Sequence, residues 1–446
     1  MENLLVNKVA AVKEVRQAAE YQKKKQACIL TGLAGSSKPV FFATTDKLLG
    51  GKGSMAFITA SREEIRTYRR ELNYLYPDLP MQELYPVSLP RVQADTQSLE
   101  LQAGRAAALR FLGGEERGIV FITAEALQQK QLRPSGMSGK ALQLAVGEEH
   151  EQRNIAAALL DLGYERTEQV DALGQFCLRG DILDVYPINS SAAVRIEWFD
   201  NELDAMRSFD VDTQRSLQTL TSIKIAPLKV DESFSYDADI FEYCAADTMV
   251  VVDEPVHVFS MLEKLDKENK EHASELFGKQ ELIEQLAANG AVLVSALGHS
   301  YLQQLPSLNI PVRAVAPYNK NTNLLVEDLQ NWLAEGITPL IMLSGSIKAR
   351  GFADNLRNYG LKGHFAQKSF APGVVNVTYG DLDHGFRFWD EEWLLLTEND
   401  IFGMQKRKRL HTKNQGQQLQ YFSDIKDGDY VVHKVHGIGR YIGVEN

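Results

Sequence analysis

Cysteine is scarce in this sequence: Cys28, Cys177 and Cys244 are the only three in 446 residues, widely separated and odd in number. They cannot build a disulfide framework, and without a Cys-x-x-Cys pair or a Cys/His cluster they offer no zinc site. Structural thiols in a reducing cytoplasm are the expectation. Long apolar runs are missing too. None approaches the roughly 20 residues a membrane span requires, and the charged stretch from Met1 to Glu20 holds no signal core. No membrane partner is expected. Positive charge is the third shortage: 48 Lys and Arg stand against 59 Asp and Glu, a net charge of −11. Binding along nucleic acid is a cationic, counterion-releasing process. Any DNA contact must therefore be local or lie outside the chain.

What remains is the make-up of an ordinary globular protein, 44% hydrophobic and 24% charged. The length exceeds one hydrophobic core and predicts about three or four domains. Residues 8–25 carry an amphipathic helical pattern. A short apolar run at 27–30 follows, then the turn-rich Gly32-Leu33-Ala34-Gly35-Ser36-Ser37-Lys38-Pro39, the order of a strand and a phosphate-type loop. Strand-like runs at 55–59 and 118–123 alternate with charged helical stretches at 62–75 and 98–111, which predicts a doubly wound parallel sheet.

The texture changes after Leu132. A Pro/Gly/Ser linker at 134–139 leads to a helix at 149–162, alternating strands at 175–185 and 193–198, and the turn Phe199-Asp200-Asn201-Glu202. This reads as a small α+β insert. Strand and helix alternation resumes at 249–252, 258–284 and 291–295, so the first domain should be completed after the insert. A third α/β unit runs from about 321 to 398, with helices at 324–334 and 347–359 around a strand at 339–343, and carries no chemical motif. The basic stretch 404–413 reads as a linker, and Gly428-Asp429-Tyr430-Val431-Val432-His433 restarts a β pattern.

A working phosphate loop needs glycines for close backbone approach, a lysine for the β/γ-phosphates and a Ser/Thr hydroxyl for magnesium. Gly32, Gly35 and Lys38 stand where expected, but Ser37 replaces the last glycine and Pro39 the hydroxyl residue. Proline supplies neither a hydroxyl nor an N–H. The acidic half of an ATP site would follow a hydrophobic strand. Asp253 and Glu254 offer it, yet Pro255-Val256-His257 breaks the helicase spacing by one residue. The alternative is that these two carboxylates simply cap the next helix. Together the two motifs describe a nucleotide-binding scaffold that has lost its catalytic groups.

The central segment reads Gly174-Gln175-Phe176-Cys177-Leu178-Arg179-Gly180-Asp181-Ile182-Leu183-Asp184-Val185-Tyr186-Pro187, then Val194-Arg195-Ile196-Glu197-Trp198-Phe199. Alternation sends Phe176, Leu178 and Ile182 to one face and leaves Arg179, Asp181, Arg195 and Glu197 to the other or to strand ends. Interleaved Arg and Glu make a poor DNA reader and a good protein-recognition surface. The alternative is a merely solvated sheet face. A carboxylate pair drawn from Asp181, Asp184 and Glu197 is tied to no histidine, metal motif or glycine loop.

This segment, continued through Arg207-Ser208-Phe209-Asp210-Val211-Asp212-Thr213-Gln214-Arg215-Ser216-Leu217, resembles the region shared by the excinuclease subunit UvrB and the transcription-repair coupling factors. UvrB keeps an intact phosphate loop, an Asp-Glu-Ser-His motif and a tyrosine-rich hairpin that grips damaged DNA. Here the loop is degenerate, the acidic motif is broken, and Leu84-Tyr85-Pro86 leads into a link without clustered tyrosines. In addition, Ile425-Lys426-Asp427-Gly428-Asp429-Tyr430-Val431-Val432-His433-Lys434-Val435-His436-Gly437-Ile438-Gly439-Arg440-Tyr441 resembles the opening of the CarD-like, RNA-polymerase-interacting domain of the coupling factors, which UvrB lacks.

The resemblance implies a degenerate RecA/helicase-like parallel sheet from residues 1–126 and 217–315, interrupted by a small α+β UvrA-binding domain at 127–216. A further small α/β domain at 316–402, a basic linker at 403–422 and the start of the polymerase-interacting domain at 423–446 would follow. It implies a non-catalytic adaptor, a cytoplasmic monomer, that recruits UvrA through Arg166, Phe176, Arg179, Asp181, Arg195 and Glu197. No cofactor is expected here. ATP, magnesium and duplex DNA would belong to a C-terminal translocase that displaces stalled RNA polymerase. Two other readings stay open: a UvrB-like damaged-DNA-binding ATPase, against which Pro39 speaks, and a DNA-binding module working through residues 406–413, although such runs are usually solvated.

Overall fold

A computed structural model describes residues 4–87, 99–134, 141–228, 236–296, 305–367 and 369–403, and the backbone of 430–433 and 437–440. The basic stretch 404–413 and most of the 134–139 linker lie outside the described residues.

Every residue of the runs Met55–Thr59, Ile119–Thr123, Met249–Asp253 and Val292–Ser295 is buried. That is the pattern of strands covered on both faces. They form the middle of a seven-stranded sheet in the order Ser307–Asn309, Cys28–Thr31, Val292–Ser295, Met249–Asp253, Met55–Thr59, Ile119–Thr123, Met81–Leu84. All its pairings are parallel. Met249–Asp253 lies between a strand from before the insert and one from after it, so neither stretch of chain closes the sheet alone. Alternate residues feed two cores: Met55 and Phe57 pack into one, Ala56 and Ile58 into the other.

Two helical expectations are corrected. Residues 8–25 form two helices, Leu4–Val9 and Lys13–Lys23, because Val12 is extended, with Val9 and Val12 both turned into the core. The stretch 258–284 is also broken. Helix Pro255–Glu268 stops at Asn269, a 3-10 segment Lys270–Glu275 follows, and a new helix Lys279–Ala288 begins after Gly278.

The middle unit is a six-stranded sheet in the order Ser216–Leu220, Glu202–Phe209, Ala193–Phe199, Ile182–Val185, Gln175–Arg179, Glu165–Arg166, antiparallel except at its last pair. Its inner face buries Phe176, Leu183, Val185, Ile196 and Trp198 against Ile155 and Leu159 of helix Gln152–Asp161. The Trp198 indole N–H donates to the His150 carbonyl at 2.9 Å, which satisfies its polar edge.

The third unit has a six-stranded mixed sheet, Val312–Ala314, Phe386–Phe388, Trp393–Thr397, Thr338–Leu343, Val375–Tyr379, Gly363–Phe365. Strand alternation divides its side chains. Ile341, Leu343, Leu394 and Leu396 pack under its own helices, whereas Leu340, Met342, Trp393 and Leu395 join the core of the first sheet. The third unit is thus continuous with the first through a shared apolar layer. Beyond it, Tyr430–His433 pairs antiparallel with Gly437–Arg440.

Candidate functional site

The loop from Gly32 to Pro39 links strand Cys28–Thr31 to helix Ser37–Leu48. Gly32 has φ +88°, and a Cβ there would overlap the Ile310 carbonyl, so only glycine fits. Pro39 is the third residue of the helix, where a backbone N–H would have no intrahelical partner, and it therefore costs the helix nothing. Ser37 closes the turn instead of opening it: its hydroxyl donates to the Ala34 carbonyl at 2.7 Å and accepts the Ala34 N–H at 2.9 Å.

Lys38 is buried, and its ammonium donates to Asp253 Oδ1 and to Glu254 Oε1, each at 2.7 Å. Burial alone would lower the Lys38 pKa, but the two carboxylates outweigh it and hold the lysine charged. The Tyr68 hydroxyl donates to Asp253 Oδ2 at 2.8 Å, and Glu254 accepts the Ala296 N–H at 3.1 Å. Tyr68 is fixed in turn by Phe57, whose ring centroid lies 4.7 Å away. The helix-capping alternative fails here. Glu254 stands at the boundary of helix Pro255–Glu268 in a left-handed conformation and makes no side-chain capping bond. The lysine and acidic groups of a nucleotide site are therefore brought together, but bound to one another. The side chains that would meet a phosphate and a magnesium ion are already paired.

Next to this loop, the Ser36 hydroxyl donates to the buried Glu71 carboxylate, and Glu71 and Ser36 receive the backbone N–H groups of Asp383 and His384 at 2.8 and 2.9 Å. His384 Nδ1 lies 3.8 Å from the buried Asp400. The nearby Asp400 carboxylate raises the His384 pKa, with Asp383 and Glu71 adding to the effect against burial.

The middle sheet carries the second constellation on its outer face. Cross-strand register places Cys177, Asp184, Arg195 and Arg207 in one row and Arg179, Ile182, Glu197 and Ala205 in the next. Asp184, 2% exposed, sits beneath both arginines. It accepts Arg195 through Nε at 2.6 Å and Nη2 at 2.8 Å, and Arg179 at 3.2 Å. Arg195, 18% exposed, also lies 4.8 Å over the Phe209 ring, and its bond to Asp184 raises its pKa. Glu197 pairs with Arg207. Arg179 remains 54% exposed.

Three expectations shift against this geometry. Phe176 is 0% exposed and belongs to the inner core, so it supports the surface from beneath and cannot touch a partner. Ile182 moves to the charged face, because the two-residue Gly180-Asp181 turn puts it directly opposite Arg179. Asp181 lies at the hairpin tip, accepting Gln152 Nε2 at 3.3 Å, and Arg166 is exposed on the edge strand Glu165–Arg166. Asp184, Arg207 and Phe209 went unassigned in the sequence. Their only signal is cross-strand register, which requires the turn length to be known. No cluster of His, Cys, Asp and Glu among the described residues could hold a metal ion.

Residues 142–230, which contain this face, match the family described as the UvrB interaction domain. Along most of its length the chain is also similar to transcription-repair-coupling factors. The protein of Bacillus subtilis (strain 168) is 25% identical over 498 residues, covering 94% of this chain and 42% of the relative. That of Staphylococcus epidermidis is 24% identical over 495 residues, with the same coverage. This chain is similar to the transcription-repair-coupling factors, and one stretch of it to the UvrB interaction domain. It spans 42% of the length of the curated relatives it matches.

Removing the shared carboxylate with Asp184→Ala takes the counter-charge from the half-buried Arg195 and should cost about 1–3 kcal/mol, read from the urea midpoint. Arg179→Ala, at an exposed position, should leave that midpoint nearly unchanged. For His384, a pKa above its ordinary value contributes stability that is present below about pH 6.5 and lost as the pH rises through the folded pKa. The melting-temperature advantage of the native chain over His384→Gln should therefore shrink between pH 6 and pH 8, and an advantage that grew with pH would contradict the pairing.

Proposed function

We propose that this chain is the recruiting part of a transcription-repair coupling factor, a non-catalytic adaptor that binds UvrA on the outer face of the middle sheet. The observation that carries the reading is the arginine array on Asp184 within the matched domain. Two arginines fixed by one buried carboxylate are pre-organised, so little side-chain entropy remains to be lost when a partner docks. Arg195 is largely satisfied within the chain. Arg179 is an exposed cation of this face and calls for a carboxylate on the partner, while Arg166 is exposed on the edge strand, in register with the inward-facing Phe176, and would meet a partner that wraps that edge. Asp181 and Glu197 flank Arg179 and disfavour a partner of the wrong charge pattern.

In this reading the work needing ATP, magnesium and duplex DNA belongs to a translocase in the longer relatives. RNA polymerase would be met by the unit that includes Tyr430–His433 and Gly437–Arg440. The adaptor would act as a monomer in the bacterial cytoplasm. The pairing of Lys38 with Asp253 and Glu254 favours this reading over a UvrB-like ATPase.

Titration of UvrA into the chain should show saturable binding that Arg179→Glu and Arg166→Glu each weaken by about 30-fold or more, the loss of a hot spot near 2 kcal/mol. Unchanged melting temperatures would show that the variants remain folded, and unchanged affinity in both would remove the assignment. Calorimetry with magnesium-ATP should show no binding. Micromolar affinity, or hydrolysis stimulated by DNA, would return the chain to the ATPase class.

A further inference from the structure

The third unit carries no motif, yet one of its loops ends on the remnant phosphate loop. Between Tyr379 and Phe386 the chain crosses the start of helix Ser37–Leu48, and hydrogen bonds run across the contact. From the first unit, Glu71 reaches back from helix Arg62–Leu75 to accept the Ser36 hydroxyl and the Asp383 N–H, the latter at 2.8 Å. Ser36 Oγ accepts the His384 N–H at 2.9 Å, and Arg70 pairs with the Asp383 carboxylate. Gly35, at φ +53°, brings its Cα so close that a Cβ would stand 3.3 Å from the Cβ of His384.

From the third unit, the crossing loop is held rigid. The Asp383 carbonyl accepts the Thr397 hydroxyl at 3.0 Å, and its carboxylate accepts Asn399 Nδ2 at 3.1 Å. Gly385 N–H donates to Asp400 at 2.6 Å, and Gly380 lies where any Cβ would overlap the Tyr74 ring. Leu382 is buried in the core of the first sheet.

A phosphate loop offers a helix N-terminus and hydroxyls to an anion. Here the anion is supplied from within the chain. We propose that Glu71 and the 380–385 loop are a permanent internal ligand of the former phosphate loop, and that this loop now serves as the joint fixing the third unit to the first sheet. The site that once chose between bound and free nucleotide has become a fixed seam between two units. Lys38 is closed separately by Asp253 and Glu254, so opening the seam alone does not recreate a nucleotide site.

Amide hydrogen exchange on the 446-residue chain tests the joint. The N–H groups of Asp383 and His384 should exchange slowly in the native chain, and Glu71→Ala should speed Asp383 by roughly tenfold or more, the loss expected for a hydrogen bond to a charged group, and His384 as well, because its acceptor Ser36 loses the carboxylate that orients it. Loop residues 33–37 should be deprotected in the same variant, while the strands of the middle sheet keep their native rates. Glu71→Gln, which keeps the shape and one acceptor, should restore part of the protection and guards against a variant that merely unfolds. Millimolar tripolyphosphate should leave the native rates at 33–37 unchanged. Fast exchange at Asp383 and His384 in the native chain, rates there unmoved by Glu71→Ala, or protection of 33–37 by tripolyphosphate would each overturn the proposal.

Discussion

Lys38 is a lysine side chain only 10% exposed, one residue into a helix that packs against the first sheet. An unpaired ammonium at such a depth costs several kcal/mol, so the chain must either bring a ligand to it or supply the counter-charge itself. Asp253 and Glu254 supply it at 2.7 Å each, from the end of the strand that sits at the centre of the sheet. The consequence reaches beyond the loop. That central strand lies after the insert in sequence and the lysine before it, so the pair also ties the two stretches of the first domain together. Tyr68 extends the tie into the aromatic core through Phe57 and Phe121.

The same economy governs the third unit. A sheet that shows one face to its own helices must bury the other, and Leu340, Met342, Trp393 and Leu395 do so in the core of the first sheet. Apolar layers of this kind fix distance but little else, since their contacts are non-directional. Orientation comes from the polar rim of the seam, where Glu71, Ser36 and Arg70 meet Asp383 and His384. Hydrogen bonds and ion pairs are directional, so these groups fix an angle that the apolar layer leaves open.

Much of this was legible in the sequence, and what was not has a common cause. The short apolar runs at 55–58 and 249–252 announced buried parallel strands, because four consecutive apolar residues between helical stretches are too few for a helix of their own. Local failures arose where one residue decides. Val12 turns inward and splits a helix that periodicity made continuous, and the turn at Gly180-Asp181 reverses the face of Ile182. The site was harder, because its bonds run between residues far apart in the chain. Gly32, Lys38, Asp253 and Glu254 could be read as damaged motifs, but their mutual pairing could not. Glu71 and His384 belong to no motif at all, and become visible only when helix Arg62–Leu75 and the 380–385 loop are placed side by side.

Two groups of charges thus coexist with opposite designs, and the difference is where their surplus lies. At the phosphate loop one buried lysine meets the buried Asp253 and the partly covered Glu254, with further acceptors taken by Tyr68 and the Ala296 N–H. The one cation there is spent, and the charge left over is negative, the wrong sign for a phosphate. On the middle sheet one carboxylate meets two arginines, and only the carboxylate is fully buried. Its single negative charge cannot neutralise both, so positive charge remains at Arg179, held in place and facing solvent. A group is available for recognition when its geometry is fixed and its charge is unspent, and within this chain the outer face of the middle sheet meets both conditions.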